Sequence, residues 1–263
     1  SGRKLAEVCI MVNNAGILIV YLIIIGEVLS GSKDGEHVGL LDQFAGGTHG
    51  WWSNRSLTIF LTLVFVLTPL CCLKHIDSLA ISSAISVLLA VLFVVLSTCI
   101  ALVKLVMGDL EMPRLLPETS SILDLLVVIP IMTNAFICHF NVHPIYKELH
   151  HRTPETMTKV GRISTLLCVV IYAMTAISGY LLFGESTASD VLTNFDKNLG
   201  IRYSSLLNGV IRIGYVVHLM LVFPVIHFSL RQTVDSFFFP ESSQSKWRFA
   251  WITGSMLTLV YLG

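Results

Sequence analysis

Seven long apolar runs constrain this chain more than any motif does. They cover residues 5–29, 56–73, 81–107, 122–146, 163–183, 206–230 and 249–263. Crossing a bilayer takes roughly 20 residues of α-helix, which the first six runs supply or approach; the seventh is short for a span, as a truncated helix would be. None alternates apolar with polar residues, which excludes the strands of a membrane β-barrel. The other way to pair every backbone N–H and C=O in lipid is the helix. The expected fold is therefore all-α: a polytopic membrane helix bundle, one transmembrane domain over 1–263, with the lipid bilayer as its surroundings. Composition excludes the main rivals. Hydrophobic residues make up 54% and charged residues 13% of the chain, against about 25% charged in a soluble domain. The 17 Lys+Arg cancel the 17 Asp+Glu, so net charge draws no nucleic acid. A disordered chain and an ordinary cytosolic enzyme are equally poor fits.

Lys and Arg near the ends of the runs set the orientation. If the runs alternate in direction, one face collects Arg3, Lys4, Lys74, Lys147, Arg152, Lys159, Arg162, Arg231, Lys246 and Arg248. The other collects Lys33, Arg55, Arg114, Lys197 and Arg202, and Lys104 at the end of the third run makes a sixth if it is counted. This bias places the N-terminus of the chain in the cytoplasm. Asn54-Arg55-Ser56 is then an N-glycosylation acceptor on the opposite face, although Asn54 abuts the second run, close to the bilayer. Cys9, Cys71, Cys72, Cys99, Cys138 and Cys168 all fall in apolar stretches and no pair brackets a polar loop. They read as small buried apolar residues, not as disulfides or metal ligands.

The polar residues inside the runs are the candidates for function. The fourth run contains Pro130, Thr133, Asn134, Cys138, His139, Asn141, His143 and Pro144. Each proline removes an N–H and blocks the carbonyl four residues back. Backbone freed in this way is tolerated at membrane depth where protein or a water-filled cavity meets it. Two readings fit: a helix broken between Asn134 and Pro144, as in transporters that hold substrate at such breaks, or a kinked packing helix. The sixth run carries His218 near mid-bilayer, where an ionisable residue is costly and marks a functional site by default. Its imidazole suits proton coupling; a neutral ring bridging two helices fits as well. Asn13 and Asn14 in the first run line a pore or join helices through hydrogen bonds. His139, His143, His150 and His151 resemble one histidine box of a membrane di-iron enzyme, but no second cluster completes two metal shells. A seven-helix receptor fits the count of runs but requires an extracellular N-terminus. No cofactor or metal is called for.

Five strings carry a resemblance: VNNAGILIVYLIIIGEVLSG, IDSLAISSAISV, AFICHFNVHPIYKEL, SGYLLFGESTASDVLTNF and LMLVFPVIHFSLR. In this order they resemble the amino acid/auxin permease family, and within it the plant vacuolar amino-acid transporters related to the animal sodium-coupled neutral amino-acid transporters. The resemblance implies the LeuT-like inverted-repeat fold of about eleven helices, the seven runs standing for its third to ninth helices and the fourth run for its discontinuous sixth. The first, second and last helices would then be missing, leaving an incomplete fold that does not transport alone. An L-amino acid, neutral or acidic, would sit against Thr133, Asn134, Ala135, Phe136 and Cys138, with His139 tuning the contact and Asn13, Asn14 and the sixth run lining the same cavity. Sodium-coupled relatives carry hydroxyls just before the proline of the eighth helix. Here Met220, Leu221, Val222 and Phe223 precede Pro224, and none offers the oxygen that sodium takes. Protons as the coupling ion, or facilitated transport, and the vacuolar membrane, with the plasma membrane as the second choice, are what the resemblance implies.

Overall fold

The computed structural model describes residues 2–31, 38–46, 50–73, 79–108, 110, 114, 122–188, 190–196, 200, 204–240 and 245–263, with backbone alone for 122–125 and 196. Lys33, Lys74, Lys197 and Arg202, which enter the orientation argument, lie outside the described residues. Among the described residues the chain is helical and has no strand; one isolated bridge pairs Gly31 with Val38. The helices are α1 (Gly2–Ser30), α2 (Leu40–Phe44), α3 (Arg55–Thr62), α4 (Thr68–Cys71), α5 (Ala80–Met107), α6 (Ile122–Ala135), α7 (Val142–Glu148), α8 (Pro154–Phe183), α9 (Ser204–Phe238) and α10 (Lys246–Leu262). Five stretches are long and apolar enough to cross a membrane: Gly2–Ser30, Ala80–Met107, Leu126–Glu148, Pro154–Ser186 and Ser204–Phe238; Arg55–Cys71 is a shorter apolar helix. The protein is an all-α, multi-pass membrane bundle.

Local chemistry sets the helix ends. Asn54 caps α3, its side chain accepting from Leu57 N at 3.3 Å. A π turn at Leu63–Leu67 joins α3 to α4. Pro69 explains it, because its ring crowds the carbonyl four residues back; Thr68 Oγ1 donates to Leu63 O at 2.8 Å across the wide turn. The helix of the fifth run begins at Pro154, well before Ile163. Thr153 caps it by accepting from Thr156 N at 3.2 Å, and Pro154 occupies the first position, where a missing N–H costs nothing. Its first turns are polar, so an apolar pattern does not register them. It ends at Gly184, whose φ of +54° suits glycine. The sixth run continues past Leu230 to Phe238, because Arg231 lies inside the helix and not in a loop.

By its internal contacts the chain divides into two compact units, residues 1–93 with 195–263, and 94–194. In the first, α1, the α3–α4 stretch, α9 and α10 share a core of Leu18, Leu22, Leu63, Leu67, Phe223, Leu230, Ile252, Leu257 and Val260. Gly26 lets α1 approach α3 closely: a Cβ there would lie 2.6 Å from Ile59 Cδ1. Two buried arginines tie the helices at opposite ends of α9. Arg212 donates to Val38 O at 2.7 Å and Val28 O at 3.4 Å. Arg231, 2% exposed, donates to Cys71 O at 2.8 Å and Leu73 O at 3.1 Å, with its guanidinium 4.2 Å from the Phe249 ring. The last carbonyls of a helix have no partner within it, and a cation there also suits the negative end of the dipole.

In the second unit, α5 and α8 meet through Ser178 Oγ and Ser97 Oγ, 3.2 Å apart. Much of the apolar surface of α6 and α8 is exposed on this chain, as at Val127, Ile131, Leu166 and Val170. The cysteines depart from expectation. All six are free, but of them only Cys71 is buried; Cys9, Cys72, Cys99 and Cys138 are exposed and Cys168 is intermediate. The helical period turns them away from the chain's own core, and an apolar run does not reveal which face its neighbours cover.

Candidate functional site

Helix α6 stops in the middle of the fourth run. Pro130 is inside it, and Thr133 Oγ1 donates back to Ile129 O at 2.8 Å. The last turn tightens to i→i−3 bonds: Phe136 N donates to Thr133 O and Ile137 N to Asn134 O, each at 3.2 Å. Ile137 and Cys138 are then non-helical, His139–Asn141 form a 3₁₀ turn, and α7 starts at Val142. Pro144 is the third residue of α7, within the first turn, where an N–H has no helical partner anyway. The break therefore exposes the carbonyl end of one half-helix and the start of another, the arrangement with which broken transmembrane helices hold charged ligand groups.

Thr133, Asn134, Ala135, Phe136, Cys138 and His139 lie together at this break, in the second unit, and all are exposed on this chain. The Thr133 hydrogen is committed to Ile129 O. Ala135 O accepts from Tyr172 Oη of α8 at 3.1 Å, and the Tyr172 ring meets Phe136 edge-on, centroids 5.3 Å apart. Tyr172 is the site residue that sequence reading passes over. It sits mid-way along an apolar run, and no local pattern links it to a carbonyl 37 residues away.

Asn13, Asn14 and His218 belong to the first unit. Asn13 is part-exposed, whereas Asn14 is 0% exposed and faces the core along the stripe of Leu18, Leu22 and Ile25. Adjacent helical residues point about 100° apart, so the two do not share one environment. His218 is half-buried, with Nδ1 2.7 Å from Ser86 O and its ring 5.7 Å from Tyr215. A carbonyl can only accept, so Nδ1 carries the proton and Nε2 is left as the basic nitrogen. Asn54 is exposed and spends its side-chain oxygen on the α3 cap. His150 and His151 meet edge-on with centroids 4.6 Å apart, but among the described residues no three His, Cys, Asp or Glu side chains converge as metal ligands would.

Long apolar helices, one of them interrupted at a cluster of polar groups, define a polytopic membrane protein with a broken span. The family model "Transmembrane amino acid transporter protein" matches residues 1–262, and the chain belongs to that family. It is similar over its whole length to three Arabidopsis thaliana proteins. Amino acid transporter AVT6E is 55% identical and 54% of its length is covered; AVT6A is 44% identical with 58% covered, and AVT6B 44% identical with 59% covered. The chain thus spans a little over half the length of these relatives. No solved structure matches it. The relatives are named as transporters, which points away from the receptor and di-iron readings.

Proposed function

We propose that this chain is part of a secondary transporter of L-amino acids, neutral or acidic, that works by proton coupling or facilitated movement. The single observation that carries the reading is the interruption of the fourth run between Ala135 and Val142 in a chain of the amino acid transporter family. The substrate's charged groups would meet the backbone ends freed at the break, with Asn134 and Phe136 beside them. Met220 to Phe223 before Pro224 carry no hydroxyl, which favours protons over sodium. The Nδ1–H tautomer of His218 leaves Nε2 to take the proton. The chain's N-terminus would face the cytoplasm, by the Lys/Arg bias, and the membrane would be that of the vacuole, as the resemblance to the vacuolar transporters implies.

Uptake of radiolabelled L-amino acids by proteoliposomes holding the full-length transporter of which this chain is part tests this, while vesicles holding the 263-residue chain alone should show none. Expected are saturable uptake and no loss when choline replaces sodium. His218→Gln keeps hydrogen bonding but cannot titrate, so it should flatten the response between about pH 5 and pH 8, around the reference imidazole value near 6.5. No saturable uptake rejects transport, and loss of uptake in choline rejects the ion assignment. A mutant that keeps the parent's pH profile makes His218 structural.

A further inference from the structure

Two of the six free thiols meet at the helix break, in the second unit. Tyr172 fixes the geometry there: its hydroxyl donates to Ala135 O at 3.1 Å and its ring meets Phe136 edge-on. Cys168 lies four residues before Tyr172 in α8, so the two side chains share one face of that helix. Cys138 lies three residues after Ala135, beyond the end of α6 and ahead of the 3₁₀ turn. The chain runs on through α7 to the start of α8, where Tyr146 Oη donates to Arg152 O at 2.6 Å. A step forward from Ala135 and a step back along α8 from Tyr172 therefore lead toward the same end. Three residues of a tight turn rise about 6 Å, at roughly 2 Å each, and four of an α-helix also rise about 6 Å, at roughly 1.5 Å each. Cys138 and Cys168 thus come level. Their side chains converge too: the two thiols are within electrostatic range of each other, and the Tyr172 phenol is within range of both.

The surroundings narrow what such a pair can do. The Tyr172 hydrogen is spent on Ala135 O. Among the described residues no group of three His, Cys, Asp or Glu side chains forms, so the pair is not part of a larger metal shell. Cys138 is exposed and Cys168 half-buried, so a small oxidant can reach the first and the second can answer it. Cys138 belongs to neither half-helix, which lets its backbone adjust to the Cα separation of about 4.4–6.8 Å that a disulfide takes. A bond here would tie the non-helical link of the fourth run to α8. In a reducing compartment such bonds form transiently and serve as sensors.

We propose that Cys138 and Cys168 form a reversible disulfide that locks the helix break against α8, with a hydroperoxide as the oxidant. The Cys138 thiol gives up its proton and its sulfur attacks one peroxide oxygen; the O–O bond breaks and the other oxygen leaves as water. The Cys168 sulfur then attacks the sulfenic sulfur of Cys138. The S–S bond forms, the S–O bond breaks, and a second water leaves with the Cys168 proton. Each sulfur is oxidised by one electron and the peroxide is reduced by two. The bond does not depend on the transport reading. The test treats the full-length protein in lipid nanodiscs with hydrogen peroxide, blocks the remaining thiols and digests without reduction. Mass spectrometry should recover two peptides joined through Cys138 and Cys168 and released by dithiothreitol. Oxidation should also slow amide exchange at Ile137–Asn141 by about tenfold, and should not do so in Cys168→Ser. Recovery of the two cysteines as free thiols, as sulfinic acids or joined to other cysteines overturns the pair. A joined pair with unchanged exchange at Ile137–Asn141 overturns the lock.

Discussion

Arg231 shows how one residue changes meaning between sequence and structure. At the end of an apolar run it reads as a loop cation. In the protein it is 2% exposed and bonds Cys71 O and Leu73 O. Arg231→Leu should fill much of the volume but strand both carbonyls, costing about 3 kcal/mol, read as a lowered midpoint of thermal unfolding in detergent. Arg231→Lys should recover only part of the loss, since an ammonium lacks the planar fork. Unfolding of Arg231→Leu at the parent's midpoint would mean that the clamp adds no stability. At Gly26 the constraint is space. Gly26→Val drives a side chain into Ile59 and should cost about 1–3 kcal/mol, and Ile59→Ala should offset part of it. Strictly additive effects in the double variant would show that the two positions do not touch.

Among the elements, the interrupted α6–α7 stretch separates what is written locally from what is not. Pro130, Pro144 and the polar residues between them are visible in the sequence, and the helix stops at Ala135 and restarts at Val142. The partner that steadies the break is not visible, because Tyr172 arrives from another helix. Amide hydrogen exchange should be faster at Ile137–Asn141 than at Val127–Ile131, as local opening needs fewer bonds broken there. Tyr172→Phe should raise exchange around the break and leave the rest of α8 unchanged. Equal protection across the whole stretch would contradict an open break. The extension of α8 back to Pro154 is the reverse case: the Thr153-Pro154 start signal is local, but a hydrophobic run is blind to it.

For the whole molecule the question is which way the chain threads the bilayer. With Arg231 moved from the loops into α9, the proposed cytoplasmic face still holds nine Lys and Arg against five, and the cytoplasmic N-terminus remains the expectation. A cysteine placed at Arg152, in a variant freed of its own thiols, should resist a membrane-impermeant maleimide applied from the non-cytoplasmic side. One placed at Glu185 should react. The opposite pattern would invert the topology.

The sequence by itself determined the class of fold. In lipid each segment must pair its own backbone groups, so an apolar run becomes a helix whatever its neighbours are. It also marked the place of the helix break, because a proline's missing N–H is a property of one residue. Only the tertiary structure decided which polar side chains are enclosed. Asn14 and Asn13 are adjacent, yet only Asn14 is fully buried; His227 is sealed in the core while His218, nine residues earlier on the same helix, keeps a carbonyl partner and partial exposure. Burial depends on what other helices bring to a given level and face, and those contacts join residues as far apart as Cys71 and Arg231, where no local periodicity can record them.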